Sequence, residues 1–146
     1  MTLKELKAKL YRLDYTIAAM MNDSGFKRYG DMSGISYDAD DPEEAFLSAR
    51  LCDILGQLQT VHNNVLYLSK STKEGCLHKS NYGRYAADFV DGTSLTFTSG
   101  SSFEFLSPDG REWLLGDVEY SHDLQDYYLV GYRDVNLDGL RVRVRV

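Results

Sequence analysis

Residues 137–146 read LDGLRVRVRV. From Leu140 onward, Leu140, Val142, Val144 and Val146 alternate with Arg141, Arg143 and Arg145. Successive side chains on a strand point to opposite faces, so this is the period-two pattern of a half-buried strand. The arginines then share one face, and that face has two readings. It is either the solvated side of a sheet or a basic stripe for a phosphate backbone.

Working back from this strand, the same period recurs in CLHK, GRYAADFV, SLTFTS, SSFEFLS, REWLLGDVEYS and DYYLVGYR. Turn signals separate the segments: SNYG, Asp91–Gly92, Ser99–Gly100, Pro108–Gly110 and NLDG. Six or seven short strands at such spacing predict a small antiparallel β-barrel of SH3-like kind over residues 75–146, with Phe105 and Trp113 near its core.

The first half has a different period. Leu3, Leu6, Leu10, Leu13 and Ile17 lie on one helical stripe, and Thr2 with Glu5 forms a capping box. A second helix starts at Asp41-Pro42, with Glu44 completing another box. Its stripe runs Leu47, Leu51, Ile54, Leu58, Val61, Val65 and Leu68, spaced alternately four and three as in a coiled-coil seam. From Pro42 to Ser69 this helix reaches about 42 Å. Between the helices, residues 22–41 form a polar, Gly-rich connection in which Phe26, Tyr29, Ile35 and Tyr37 supply something to bury. The expected class is α+β. An antiparallel helical hairpin with a long acidic connecting loop occupies residues 1–74, and the barrel follows. Leu51, Ile54, Leu58 and Val61 are expected to be buried against Leu6, Leu10, Leu13 and Ile17. The chain is then a monomer, or a weak homodimer through its helices.

The 146 residues carry 16 basic and 22 acidic side chains, a formal net charge of −6. Divided after Gly75, the first part holds nine basic and eleven acidic residues and the second seven and eleven. Neither is a basic module, which argues against nonspecific binding of nucleic acid. Two cysteines, Cys52 and Cys76, read as free thiols of a reducing compartment. The N-terminal MTLKELKAKL has no apolar signal core, and no run of about 18 apolar residues suggests a membrane span. A cytoplasmic protein without membrane contact is expected.

Two clusters are candidate sites. Within YDADDPEE, Asp38, Asp40, Asp41, Glu43 and Glu44 fall together. Helix-end chemistry accounts for Asp41, Glu43 and Glu44, because acids favour the positive end of the helix dipole. It leaves Asp38 and Asp40 over. A patch of Asp38, Asp40, Glu43 and Glu44, with Tyr29 and Tyr37 beside it, suits docking into a basic groove of a protein partner. The second cluster is Arg141, Arg143 and Arg145, with Tyr127 as a stacking surface for nucleic acid. The alternating Asp117 and Glu119 are expected to neutralise these arginines across the sheet, which favours the solvated-face reading. Cys76 and His78 stand two apart, but no third group orients them and no second pair completes a zinc site. No catalytic residue, metal or cofactor is expected.

The stretches LTFTSGSSFEFL, REWLLGDVEYS, YYLVGY and LDGLRVRV resemble a small uncharacterised family of short proteins from Gram-positive bacteria, their phages and mobile elements. In that family a Ser-Gly turn precedes a Trp-bearing strand, a YYL strand and a terminal strand like LDGLRVRV. The resemblance covers residues 75–146 and excludes the helices. It carries no activity, but it implies a mobile-element setting, where small acidic proteins inhibit host defence complexes. The function expected is therefore a non-enzymatic protein-binding inhibitor of a host defence nuclease complex, anti-CRISPR-like, acting through its acidic surface. The alternative is a small nucleic-acid-binding β-barrel using the three arginines and surface tyrosines.

Overall fold

The computed structural model describes residues 1–27 and 30–146. The chain divides into two compact units, Met1–Ser69 and Lys70–Val146.

The first unit begins with α1, Leu3–Asp23. The Thr2 hydroxyl accepts from the Glu5 N–H at 3.2 Å, and the Glu5 carboxylate accepts from the Thr2 N–H at 2.6 Å. This is the capping box expected from the sequence. After α1 the chain forms a two-stranded antiparallel pair, β1 (Phe26–Lys27) and β2 (Asp31–Met32), with Phe26 opposite Met32. The pair is pinched at its base, where the Gly34 N–H donates to the Ser24 carbonyl at 2.9 Å. A Cβ at Gly34 would lie 2.4 Å from the Asp23 carbonyl oxygen, so glycine is required for the approach.

Then comes α2, Pro42–Ser69. Asp41 caps it, accepting from the Glu43 N–H at 2.9 Å. Glu44 does not close a box on Asp41. Its carboxylate reaches further back and accepts from the Asp38 N–H at 2.6 Å, because the Asp41 N–H already donates to the Asp38 carbonyl.

The leucine seam behaves differently from expectation. Ile17 is buried and Leu58 is half-buried, but Leu6, Leu10, Leu13, Leu51, Ile54 and Val61 are exposed. Val65, the one buried side chain of α2, lies on the seam, and a half-buried line runs beside it through Ala45, Ser48, Cys52, Leu55, Gln59 and His62. His62 Nδ1 and Asp14 Oδ1 stand 2.8 Å apart, linking the helices on that side. Two helices alone can cover only one flank of each other, so a wide apolar stripe is left open.

The second unit holds β3 (Thr72–Lys79), β4 (Tyr85–Phe89), β5 (Ser94–Phe97), β6 (Ser102–Leu106), β7 (Trp113–Ser121), β8 (Asp126–Leu129) and β9 (Arg141–Arg145). They form one antiparallel sheet in the order β5-β4-β3-β9-β6-β7-β8. The terminal strand therefore lies at the centre, between β3 and β6. The sheet is not closed. Its end strands, β5 and β8, have four residues each and share no ladder, in contrast to the expected barrel. Side chains make the approach between β4 and β8: the Tyr85 hydroxyl donates to the Asp126 carboxylate at 3.4 Å, and the Tyr85 and Tyr127 rings meet edge-on.

One face of this sheet carries a continuous core of Leu77, Ala87, Phe97, Phe103, Phe105, Val118, Leu129 and Val142, with Leu137 from the loop before β9. Phe97 and Phe103 pack edge-to-face at 5.0 Å. Gly75 is set by a close approach: a Cβ there would stand 2.4 Å from the Asp88 carbonyl oxygen. Phe105 is fully buried, as expected. Trp113 is not in this core; it is half-buried on the arginine face.

Candidate functional site

The open side of the helical unit is a cleft of about 600 Å³. Met20 of α1 faces Leu47, Leu51, Ile54 and Leu58 of α2 across it, and Met32, Ile35 and Tyr37 of the connection close one end. Asp23 and Glu44 stand among these apolar walls. The floor is aliphatic with two flexible thioethers, which adapt their shape to what they touch.

The acidic run lies at that end. Asp38, Asp40, Glu43 and Glu44 are all exposed, and Tyr37 is half-exposed. Part of the cluster also does backbone work: Asp38 Oδ1 accepts from the Asp40 N–H at 3.0 Å, and Glu44 holds the Asp38 N–H. Asp38 is thus a turn residue as well as a surface charge. The structure brings Tyr37 and Glu44 into the cleft, with Asp38, Asp40 and Glu43 adjacent in the chain. Tyr29, the remaining residue of the predicted patch, lies outside the described residues.

The arginine strand is satisfied within the sheet. Arg141 donates to Glu74 at 2.8 Å. Arg143 donates to Glu104 at 2.9 Å, and Arg145 reaches the other oxygen of the same carboxylate at 3.2 Å. The register places Arg143 between Glu74 of β3 and Glu104 of β6. The Arg143 guanidinium lies 4.4 Å from the Trp113 ring centroid, and Arg141 5.7 Å. Glu104 is buried. Burial pushes its carboxyl up, but the hydrogen bonds and charges of Arg143 and Arg145 outweigh this and hold it below the ordinary carboxylate range. The partners are not the expected Asp117 and Glu119. Strand order decides this, since β9 neighbours β3 and β6 while Asp117 on β7 pairs with Ser102. Tyr127 is no open stacking platform either. Its ring packs edge-on against Tyr120 and Tyr85.

Sequence reasoning missed Glu74 and Glu104 as partners, because each sits alone in its strand and only non-sequential pairing brings them to β9. It also missed Met20 and Met32. The signal for Met20 was the continuation of the α1 stripe by one more step of three, from Ile17 to Met20; Met32, in β2, had none. His78 Nδ1 stands 3.6 Å from Asp88 and Cys76 is exposed on the same strand. Among the described residues no three of His, Cys, Asp and Glu converge as a metal site requires, and no helix is long and apolar enough to cross a membrane.

Residues 75–144 match a domain family described as a domain of unknown function, DUF5348. The match lies within the β unit, where the sequence resemblance also falls, and leaves the helices outside. No curated protein matches the chain, and no solved structure matches it.

Proposed function

We propose that this chain is a non-enzymatic protein-binding module whose helical cleft and acidic rim recognise a basic, apolar segment of a partner. The observation that carries the reading is the cleft itself: aliphatic walls from Met20, Leu47, Leu51, Ile54 and Leu58 open to solvent beside Tyr37 and Glu44. The two helices are read as an antiparallel hairpin. Asp14 meets His62 near the end of α2, and Met20, further along α1, meets Leu51 and Leu58 nearer its start. The curled sheet is read as an SH3-like barrel left open at one seam, serving as a rigid body.

The partner assigned is a nucleic-acid-binding nuclease complex of a host defence system. Such machines carry basic grooves for phosphate backbones, and Asp38, Asp40, Glu43 and Glu44 offer the opposite charge in a compact patch. A mobile-element origin and an anti-CRISPR-like action are proposed with it on the family resemblance of residues 75–146, together with a cytoplasmic site. A nucleic-acid-binding role for Arg141, Arg143, Arg145 and Tyr127 is the weaker alternative, because the arginines already meet carboxylates and the tyrosine ring is engaged.

The test is inhibition of a purified RNA-guided defence nuclease. Reversing Asp38, Asp40 and Glu43 to lysine is expected to weaken inhibition and slow association, and added salt to erase much of the difference. Inhibition untouched by that reversal but lost on Arg143→Ala would contradict the reading.

A further inference from the structure

The stripe that defines the cleft runs along both helices well beyond it. Leu6, Leu10 and Leu13 on α1, like Leu47, Leu51 and Ile54 on α2, are each between 37% and 53% exposed. Met20 of the first stripe and Leu51 of the second line one cleft, so both stripes open on the same side. Half-exposure along two such seams is what each hairpin of a four-helix bundle shows when its other half is removed.

We infer that two copies of this chain dock hairpin to hairpin in opposite directions, so that these stripes become the core of an intermolecular four-helix bundle. The inference rests on the reading of the cleft as a protein-docking surface and names its first occupant; a basic partner must displace that second copy.

Three observations select a second copy. The first is area. Half-exposed apolar side chains along two stripes of this length offer an area on the order of that of a standard interface. A stable interface takes about 800 Å² per partner, while the apolar patches of monomers are mostly smaller than this. The second is the character of α2. From Ile54 to Ser69 it holds no Asp, Glu, Lys or Arg, although Ile54, Val61, Leu66 and Leu68 are exposed there. A helix face kept in water carries charge; one that meets a neighbour does not.

The third is charge, which also sets direction. The first turns of α1 carry Lys4, Lys7, Lys9 and Arg12 against one acid, Glu5, whose carboxylate is held by Thr2. The opposite end of the hairpin carries Asp38, Asp40, Asp41, Glu43 and Glu44. With the hairpins opposed, the basic end of each copy lies over the acidic end of the other, twice by twofold symmetry. With the hairpins parallel, like charges would meet.

Sedimentation equilibrium of the full chain between about 1 and 100 µM tests this. A monomer–dimer equilibrium is expected. Leu51→Glu should weaken it at least about 30-fold, as a central apolar anchor does. The residue is half-exposed, so the variant should keep the parent's Trp113 fluorescence and helical circular dichroism as a monomer. Lys4→Glu with Lys7→Glu should weaken association about tenfold, and adding Asp40→Lys with Glu43→Lys should restore most of it. A chain monomeric up to about 100 µM, a dimer indifferent to Leu51→Glu, or a charge swap that fails to restore association would each overturn the proposal. The two readings separate cleanly. A monomeric chain whose nuclease inhibition still depends on its acidic patch sinks the dimer alone. A dimer abolished by Leu51→Glu in a chain that inhibits no nuclease supports the dimer alone.

Discussion

The two units of this molecule differ in how completely they bury what they contain. In Lys70–Val146, seven strands place Phe97, Phe103, Phe105, Val118, Leu129 and Val142 at or near zero exposure. In Met1–Ser69, two helices of 21 and 28 residues bury only Ile17 and Val65 among their side chains. The difference is geometric. A curled sheet wraps its inner face around its own side chains, whereas two helices shield one flank of each other and leave the remainder to water or to a neighbour. The β unit encloses its core, and the helical unit leaves its leucine stripes largely exposed.

The largest expected effect breaks the comparison at its strongest point. Phe105→Ala removes a fully buried ring and should cost about 3–5 kcal/mol in urea unfolding followed by Trp113 fluorescence. Leu13→Ala, at 53% exposure, should cost less than about 1 kcal/mol in dilute solution. Near-equal costs would mean that the leucine stripe is core after all.

Glu104→Ala comes next. It strands Arg143 and Arg145 on a part-buried face and should cost about 3 kcal/mol by thermal or urea unfolding. The same carboxylate governs acid sensitivity. Its folded pKa lies below its unfolded value, so its contribution is fully present above the ordinary Glu range and is lost as pH falls from about 4.5 through the folded value. Glu104→Gln should flatten that part of the stability–pH curve. An unchanged acid limb would show that the arginines do not hold its charge.

Gly75→Ala should cost about 1–3 kcal/mol, because the new methyl meets the backbone of Asp88 and strands β3 and β4 must shift apart. The smallest effect falls on the exposed pair. Arg141→Ala removes a contact to Glu74 with both side chains about half exposed, and should leave the melting midpoint nearly unchanged.

Much of this architecture was legible in the chain. Period two in LRVRVRV, the turn glycines, the Thr2–Glu5 box and the Asp41-Pro42 helix start all encode local geometry, and local geometry is what sequence pattern reports. What was not legible is pairing between distant segments. Nothing in the spacing places β9 between β3 and β6, so Glu74 and Glu104 were not recognised as the partners of Arg141, Arg143 and Arg145. The heptad in α2 was visible as a seam, but a seam does not state whether its partner lies in the same chain. The cleft was half legible: Ile35 and Tyr37 stood out as apolar residues in a polar connection, while Met20 and Met32 did not.

Hydrogen exchange of the full chain, read by mass spectrometry at about 1 and about 100 µM, tests most directly whether the helical unit is completed by contact. The account predicts that amides of residues 72–145 exchange at the same rates at both concentrations, and that amides of residues 47–68 become markedly more protected at the higher one. Equal protection of the helices at both concentrations would contradict it.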